Sequence, residues 1–474
     1  MNMDSLSGKQ VVIVGAARQG TALARYLVHQ GARVVLNDRK PTAELKPALD
    51  SLSDIPETSL KWVLGSHPTE ILDGVDLLCL SGGIPTSLPL VLEARRRGIP
   101  LSNDSQIFLD ATPCKVIGIT GSAGKTTTTT LVGRMAKAAL GDDRVYVGGN
   151  IGNPLITMVD QIHADDLVVM ELSSFQLEIM TRSTHIAAIL NITPNHLDRH
   201  ADFAEYQEIK ARILDYQTGN GDSFSTCAVL NHEDPASWAL KKRVRGQLFS
   251  FGIEEPPGDH PATYLRDEVI WLRRKTETME LLSCSMIGLR GEHNLRNVLA
   301  ASVICVAAGL PLTAIRAGVV GFGGVSHRLE LVRTWKGVCW YNDSIATAPE
   351  RVLAAVKSFE EPMVLLVGGR DKNLPWGELA SLICRRVDHL VIFGEGREKI
   401  RQALEKAVGN HRQSVQRPYT ISECAGLYEA VQEAALVAEV GDVVVLSPGG
   451  TSFDEFRDFE DRGEAFRKWV MMLR

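Results

Sequence analysis

A strand, a glycine loop and a helix start follow one another between Cys114 and Thr127, and this order restricts the fold more than any other stretch of the chain. Residues 116–119 are an apolar run short enough for a buried strand, and Gly121-Ser122-Ala123-Gly124-Lys125-Thr126-Thr127 closes it. Glycines let backbone N–H groups converge on phosphate oxygens, a helix N-terminus favours an anion, and Lys125 neutralises β- and γ-phosphate charge. The Thr126 hydroxyl then stands where a Mg2+ ligand is needed. The full phosphate-loop spacing asks for glycine at Ile119, so the match is to its second half. The pattern predicts a nucleoside triphosphate site; the alternative is a strand-to-helix turn that happens to contain Gly-Lys-Thr.

At 474 residues the chain has room for about two to four domains. Its 45% hydrophobic and 23% charged residues are an ordinary globular balance. A net charge of −6 excludes a general binder of nucleic acid or membrane surface, and Lys241-Lys242-Arg243 reads as a solvated helix end. Eight cysteines (Cys79, Cys114, Cys227, Cys284, Cys305, Cys339, Cys384 and Cys424) are scattered without a Cys-x-x-Cys pair, which predicts reduced core thiols. The chain enters a strand near Gln10 with no signal-peptide pattern, and no apolar run reaches membrane-spanning length. A cytoplasmic protein is expected.

Strand-like runs at 11–14, 33–36 and 77–80, then Leu101, alternate with helical segments, which predicts a parallel sheet with crossover helices. Gly15-Ala16-Ala17-Arg18-Gln19-Gly20 and the strand-ending Asn37-Asp38 approach a dinucleotide fingerprint. Ala17, however, fills the position where glycine lets backbone approach a pyrophosphate. A nucleotide of another kind is expected in that crevice, with a nicotinamide dinucleotide as the alternative. The pattern restarts at Ala111-Thr112-Pro113 and runs through strands at 167–170, 187–190 and 228–230, with a surface loop at 254–261. After Gly321-Phe322-Gly323-Gly324 a third rhythm places strands at 338–341, 363–367, 389–393 and 443–446. The expectation is an α/β protein of three domains. These are a Rossmann-like N-terminal domain at 1–111, a central phosphate-loop ATPase-like domain at 112–324 and a Rossmann-like C-terminal domain at 325–474.

Several polar residues stand at ends of these elements. Glu171 closes an apolar strand, where a carboxylate that directs Mg2+ belongs; the alternative is a plain helix cap. Asn195-His196-Leu197-Asp198-Arg199-His200 offers either a zinc cluster or a single orienting ligand, His196, in a nucleotide site. Asp202 with Glu205 signals a helix start. On that helix Lys210 projects among Phe203, Tyr206, Ile213 and Leu214, the centre of the apolar face. Burial there lowers an ammonium's pKa, and the free amine can do chemistry or take up CO2; the alternative is snorkelling to a carboxylate. Asn294 and Asn297 open a later helix with amides suited to an adenine edge or to capping. His327-Arg328 and Asn342-Asp343-Ser344 offer a phosphate contact and a ribose acceptor.

Taken together the motifs resemble the Mur ligase superfamily, ATP-dependent amide-forming enzymes of peptidoglycan synthesis, to which folylpolyglutamate synthase is a cousin. The elements that match are Gly121-x-x-Gly124-Lys125-Thr126, Gly149-Asn150-Ile151-Gly152, Glu171 through Gln176, Asn195-His196-x-Asp198, Lys210, His293-Asn294-x-x-Asn297 and His327-Arg328. Asn342-Asp343-Ser344-x-Ala346-Thr347 and Ser447-Pro448-x-x-x-Ser452-x-Asp454-x-Phe456 are similar to the branch that adds D-glutamate to UDP-N-acetylmuramoyl-L-alanine through an acyl phosphate. The resemblance implies a monomeric ligase acting on these small molecules and ATP, with no nucleic-acid or membrane partner.

By position, Lys125, Lys210 and His196 would be catalytic. Gly121, Gly124, Lys125, Thr126, Thr127, Asn294, Asn297, Arg328 and Asp343 would bind ATP. Thr126, Glu171, His196 and a carbamylated Lys210 would hold Mg2+, two ions in all. Ala17, Arg18, Gln19, Asp38, Arg39, Ser81, Gly82, Gly83 and Ile84 would take the uridine diphosphate, and Asn150, Ser173 and Gln176 the muramoyl group. Thr347, Lys372, Ser452, Phe453 and Phe459 would cradle the amino acid. Two positions depart from the family pattern: Ile345 replaces a lysine, and Ser122-Ala123 replaces Thr-Asn in a loop that works through its backbone. Rival readings are a sister ligase or folate-type ligase with another amine, a nicotinamide dehydrogenase, and a non-catalytic UDP-sugar binder.

Overall fold

The computed structural model describes residues 6–194, 202–217, 225–275, 277–410 and 417–474. Their strands form three sheets. The first is parallel, in the order Leu60–Leu64, Arg33–Asp38, Gln10–Val14, Leu77–Leu80, Leu101–Ser102. Val11, Val12, Ile13 and Val14 are buried on both faces of this sheet, as a continuous apolar run in a covered parallel sheet should be. The strand order reverses at Gln10–Val14, so the crevice at its C-terminal end is the natural ligand position. Gly15 turns there with φ +101°, and a Cβ on it would meet the Ser81 Cβ at 2.8 Å. Glycine is therefore needed for the loops after the first and fourth strands to meet.

The second sheet runs Thr278–Ser283, Val269–Arg273, Ala262–Arg266, Gln247–Phe251, Cys227–Asn231, Ile186–Ile189, Lys115–Thr120, Leu167–Glu171, Val145–Gly149. Its parallel part ends at Ala262–Arg266, and the last two strands are antiparallel. The stretch at 254–261 is the loop that was expected, but the antiparallel arm after it carries no sequence signal. Its first turn is Asp267-Glu268, both at positive φ (49° and 57°), where two-residue hairpins ordinarily advertise themselves with glycine.

The third sheet runs Glu330–Trp335, Val338–Asn342, Val443–Gly449, Met363–Gly368, His389–Phe393, Thr420–Cys424, with the first strand antiparallel to the second. Alternate residues feed two cores. Leu365, Val367 and Val445 pack with Ile383 and Leu404 on one face, while Trp340, Val364 and Leu446 pack with Phe466 and Val470 on the other. The chain divides into two compact units, Met1–Ile287 with Glu292–Phe322, and Gly288–Gly291 with Gly323–Arg474. The first unit contains the first two sheets and the second contains the third. All eight cysteines are free thiols. Among the described residues no helix is long and apolar enough to cross a membrane.

Candidate active site

The strand Lys115–Thr120 lies between Ile186–Ile189 and Leu167–Glu171, and the helix Lys125–Leu140 begins after Gly124, which adopts a left-handed φ of +81°. A Cβ on Gly124 would lie 2.3 Å from Asn297 Oδ1, so the loop is pressed against the helix Glu292–Ala308. Asn297 accepts from the Thr128 hydroxyl at 3.4 Å and donates to Asn294 Oδ1 at 3.1 Å, which places both expected amides beside the loop. Thr127 is buried under it, and Thr126 is partly covered. Lys125 Nζ donates to the carbonyls of Gly121 (2.7 Å) and Ser122 (3.2 Å), which holds the ammonium over the loop.

The loop does not rely on backbone alone. The Ser122 hydroxyl donates to the Thr193 carbonyl at 2.9 Å and accepts from the Thr193 amide at 3.0 Å. Asn191 closes the other side, accepting from Ala123 N (2.8 Å) and donating to Ala123 O (3.1 Å). The serine at 122 is thus an anchor that the sequence did not mark as one.

Glu171 ends its strand in register with Ile119 and is 1% exposed. Asn150 donates to Glu171 Oε1 from its side chain and to the Glu171 carbonyl from its backbone, both at 2.9 Å. Glu171 Oε2 is buried with no hydrogen-bond partner among the described residues. The plain-cap alternative fails, because the helix Ser174–Leu177 is capped by Ser173 and Gln176 in a reciprocal capping box. A buried carboxylate oxygen left unpaired is costly. It suits a divalent cation beside the phosphate loop.

The helix Phe203–Asp215 is capped by Asp202, which accepts from Glu205 N at 2.8 Å. Lys210 is 1% exposed, so it does not snorkel. Its Nζ reaches Thr120 Oγ1 (3.3 Å) and the Gly121 carbonyl (3.1 Å), and lies 4.7 Å from the Tyr206 ring centroid. Burial, then the neighbouring Lys125, drive its pKa well below the usual lysine value, and Glu171 pulls the other way with less force. His196 and the rest of the 195–200 motif lie outside the described residues. No group of three or more metal-ligating side chains occurs among the described residues.

The crevice of the first sheet adjoins this centre. Gln19 accepts from Gly82 N at 3.2 Å and donates to the Gly149 carbonyl at 3.4 Å, next to Asn150. Ala17, Arg18, Arg39, Gly82 and Gly83 are exposed around the crevice, Ile84 is half-buried and Ser81 is buried. Asp38 accepts from the amides of Ala16 (2.8 Å) and Lys40 (2.9 Å), one on each oxygen, so its carboxylate shapes the loop. Gln176 is likewise committed. It accepts from the Ser173 amide and hydroxyl (both 2.9 Å) and donates to Ser105 Oγ at 2.7 Å. In this geometry Gln176 holds the turn at 171–176.

The second unit gathers the remaining expected residues at the C-terminal ends of its strands. Asp343 is buried, accepts from Ser447 Oγ (2.8 Å) and the Leu329 amide (3.2 Å), and burial pushes its carboxyl up to about 7 against the pull of Arg328 and Arg351. His327 has φ +63° and shares a hydrogen bond with Asn342, which turns the 325–329 segment toward Asp343. Thr347 accepts from Lys372 Nζ at 3.2 Å. Ser452 is buried, Phe453 is exposed, and the Phe459 carbonyl accepts from Ser344 Oγ at 2.8 Å.

Sequence reasoning missed Arg462, which ties these loops together. It is fully buried and donates to Ser344 Oγ (3.0 Å), the Ser344 carbonyl (2.9 Å) and the Gly450 carbonyl (3.2 Å). Burial lowers its pKa to about 10. The periodic spacing of Arg462, Phe466 and Val470 was the available signal.

Fold and site together define a phosphate-loop protein with further α/β domains before and after the loop domain in the sequence. The sequence matches the MurD-like N-terminal domain of Mur ligases over residues 9–103, the Mur ligase middle domain over 119–305, and the Mur ligase glutamate ligase domain over 327–450. The chain belongs to the Mur ligase family. It is similar to the UDP-N-acetylmuramoylalanine–D-glutamate ligase of Symbiobacterium thermophilum, with 41% identity covering 98% of both chains. It is also similar to the enzyme of that name from Caldanaerobacter subterraneus subsp. tengcongensis, with 36% identity covering 99% of both. The fold matches UDP-N-acetylmuramate–alanine ligase of Thermotoga maritima (TM-score 0.55, 18% identity, 98% of this chain and 99% of that chain). It also matches MurF of Acinetobacter baumannii (TM-score 0.57, 17% identity, 100% of this chain and 93% of that chain). Family membership removes the nicotinamide dehydrogenase alternative for the loop at 15–20.

Proposed function

We propose that this chain is an ATP-dependent ligase that joins D-glutamate to the alanyl carboxylate of UDP-N-acetylmuramoyl-L-alanine. The observation that carries the proposal is the juxtaposition of a Glu171 oxygen with no partner among the described residues, a buried Lys210 and the Lys125 loop. That set fits an activated phosphoryl transfer and has no other evident use. The full-length similarity to ligases of that name supports the choice of substrates.

In this reading the alanyl carboxylate attacks the γ-phosphorus of ATP and ADP leaves, giving an acyl phosphate. The amine of D-glutamate then attacks the acyl carbon, and the tetrahedral intermediate expels phosphate as the amide forms. Lys125 and the loop amides of 121–127 hold the phosphates, and Arg328 offsets charge on the phosphoryl group as it moves. Asn294, Asn297 and Asp343 orient the nucleoside. Mg2+, when bound, supplies Lewis-acid neutralisation of the phosphate charge. Thr126, Glu171 and His196 would hold it, the family precedent being two ions. In its neutral form the Lys210 amine would add CO2 with loss of a proton, and the resulting carbamate would offer two further oxygens. Exposed Arg18 and Arg39 suit the diphosphate of the UDP group at the first-sheet crevice, together with the amides of 81–84. Asn150 steers Glu171 and borders the muramoyl path. Thr347, Lys372, Ser452, Phe453 and Phe459 receive the amino acid. The three sheets support domains at 1–111, 112–324 and 325–474, and a monomeric cytoplasmic enzyme is the simplest form of this reading.

The test is phosphate release from ATP with UDP-N-acetylmuramoyl-L-alanine, screened against D-glutamate, L-glutamate, L-lysine and diaminopimelate. Release that requires D-glutamate is expected. Release with another amine instead would identify a sister ligase, and no release with any amine would overturn the assignment.

A further inference from the structure

Two cations grip one tight turn of the second unit. Lys372 Nζ donates to Thr347 Oγ1 at 3.2 Å. Arg351, in the first turn of the helix Pro349–Val356, donates from Nη1 to the Ile345 carbonyl at 3.3 Å. The Thr347 amide bonds that same carbonyl at 2.9 Å, so the two cations sit at either end of the 345–347 turn. Both are exposed, and among the described residues neither has an ion pair. Nearby cations are engaged: Arg370 pairs with Glu395, Lys399 with Asp371, and Arg462 is buried on Ser344 and Gly450. Arg351 also acts on Asp343 across the turn, helping to oppose the upward push of burial on that carboxyl.

A guanidinium held by a single backbone carbonyl exchanges it readily for a carboxylate, because the carboxylate adds the attraction of opposite charges and can accept two parallel N–H bonds. One ammonium at Lys372 answers one carboxylate, whereas D-glutamate brings two. Ile345 carries no charge, so Arg351 is the second positive group on this turn. We propose that Arg351 is a specificity-determining residue of the amino-acid site, its guanidinium leaving the Ile345 carbonyl to take the glutamate carboxylate that Lys372 does not hold. The inference rests on the ligase reading above. A planar guanidinium is suited to the task because it can meet a carboxylate with two parallel N–H bonds.

The test is steady-state kinetics on the full chain with Arg351→Ala, Arg351→Lys and the double variant Ile345→Lys/Arg351→Ala, varying each substrate in turn. Arg351→Ala is expected to raise KM for D-glutamate about tenfold to a hundredfold, the loss of one charge-assisted contact, with KM for ATP and for the UDP substrate little changed. Arg351→Lys, and the ammonium restored on the same turn by Ile345→Lys, are expected to recover most of it. A KM for D-glutamate within about twofold of the parent in Arg351→Ala would overturn the proposal. So would a uniform fall in kcat or loss of folding that Arg351→Lys does not relieve, since that marks a structural role. A parent enzyme that turns over with no acidic amino acid would overturn the ligase reading itself, and a fully active parent with an indifferent Arg351 would overturn this inference alone.

Discussion

Replacing Lys210 by methionine should uncouple stability from activity. In the folded chain Lys210 is 1% exposed and its pKa lies well below its usual value of 10.5, burial being the largest cause. Between the depressed folded pKa and 10.5 the unfolded chain holds this proton more tightly than the folded chain does. Stability changes with pH in proportion to protons bound in the unfolded state minus those bound in the folded state, so the difference here is positive, with one proton as its limit. The lysine's contribution to stability is thus smallest at and below the depressed folded pKa and rises with pH toward 10.5, reversing the usual lysine case. The slope is about 1.4 kcal/mol per pH unit for one proton. Methionine fills a similar volume and has no proton to lose, so the slope disappears.

The assay is urea unfolding of metal-free, CO2-free protein from about pH 8 to about pH 9, comparing wild type with Lys210→Met. The wild type should gain stability relative to the variant across that interval, by at most about 1.4 kcal/mol. At pH 8 the variant should be the more stable of the two, because it has no buried ammonium to neutralise, while its kcat falls severely. Parallel pH profiles would refute the reasoning, since they would mean Lys210 keeps the same proton in both states. Near-normal turnover would separately remove its catalytic assignment.

Two further outcomes follow from the same geometry. Gly149 has φ +100°, and a Cβ on it would sit 2.3 Å from the Glu171 carbonyl, so Gly149→Ala should cost at least about 2 kcal/mol and displace Glu171; an unchanged melting temperature would contradict this. Asp343, raised to about 7 from 3.8, binds a proton in the folded chain that the unfolded chain has lost, so stability falls as pH rises from about 4 to about 7. Asp343→Asn should flatten that fall, with a gain of order 4 kcal/mol at most at the upper end, read by urea unfolding at the two pH values.

The phosphate loop was legible because strand, glycine turn and helix start are consecutive in sequence and each carries a local signal. Lys210 was legible for a related reason: helical periodicity put it on an apolar face, and its burial follows. Arg462 gave the same signal with Phe466 and Val470, yet the acceptors that make a buried arginine tolerable are carbonyls of Ser344 and Gly450. Backbone acceptors over a hundred residues away, or across a turn, leave no mark in residue identity. Gln176 shows the opposite failure, since its place in a motif suggested a ligand contact while its amide is consumed by Ser173 and Ser105. The antiparallel arm after 261 was hidden because Asp267 and Glu268 take a conformation that sequence ordinarily assigns to glycine.

One oxygen explains why the two lysines of the first unit have different jobs. Lys125 and Lys210 both donate to the Gly121 carbonyl, at 2.7 and 3.1 Å, so their nitrogens are at most about 6 Å apart. Two ammonium groups at that separation repel by about 3 kcal/mol at an effective dielectric of about 20, which is worth roughly two pH units. That repulsion adds to burial, and burial falls on Lys210, because Lys125 is partly open to water and Lys210 is not. Lys210 is therefore the one of the two whose proton is loosened, as the proposed carbamate needs. Once the carbamate forms, the repulsion between the two positions turns into attraction. Lys125, which adds to burial in lowering the Lys210 pKa, then stabilises the anion that replaces the amine, so Lys125→Met should weaken CO2 uptake at Lys210 as well as ATP binding.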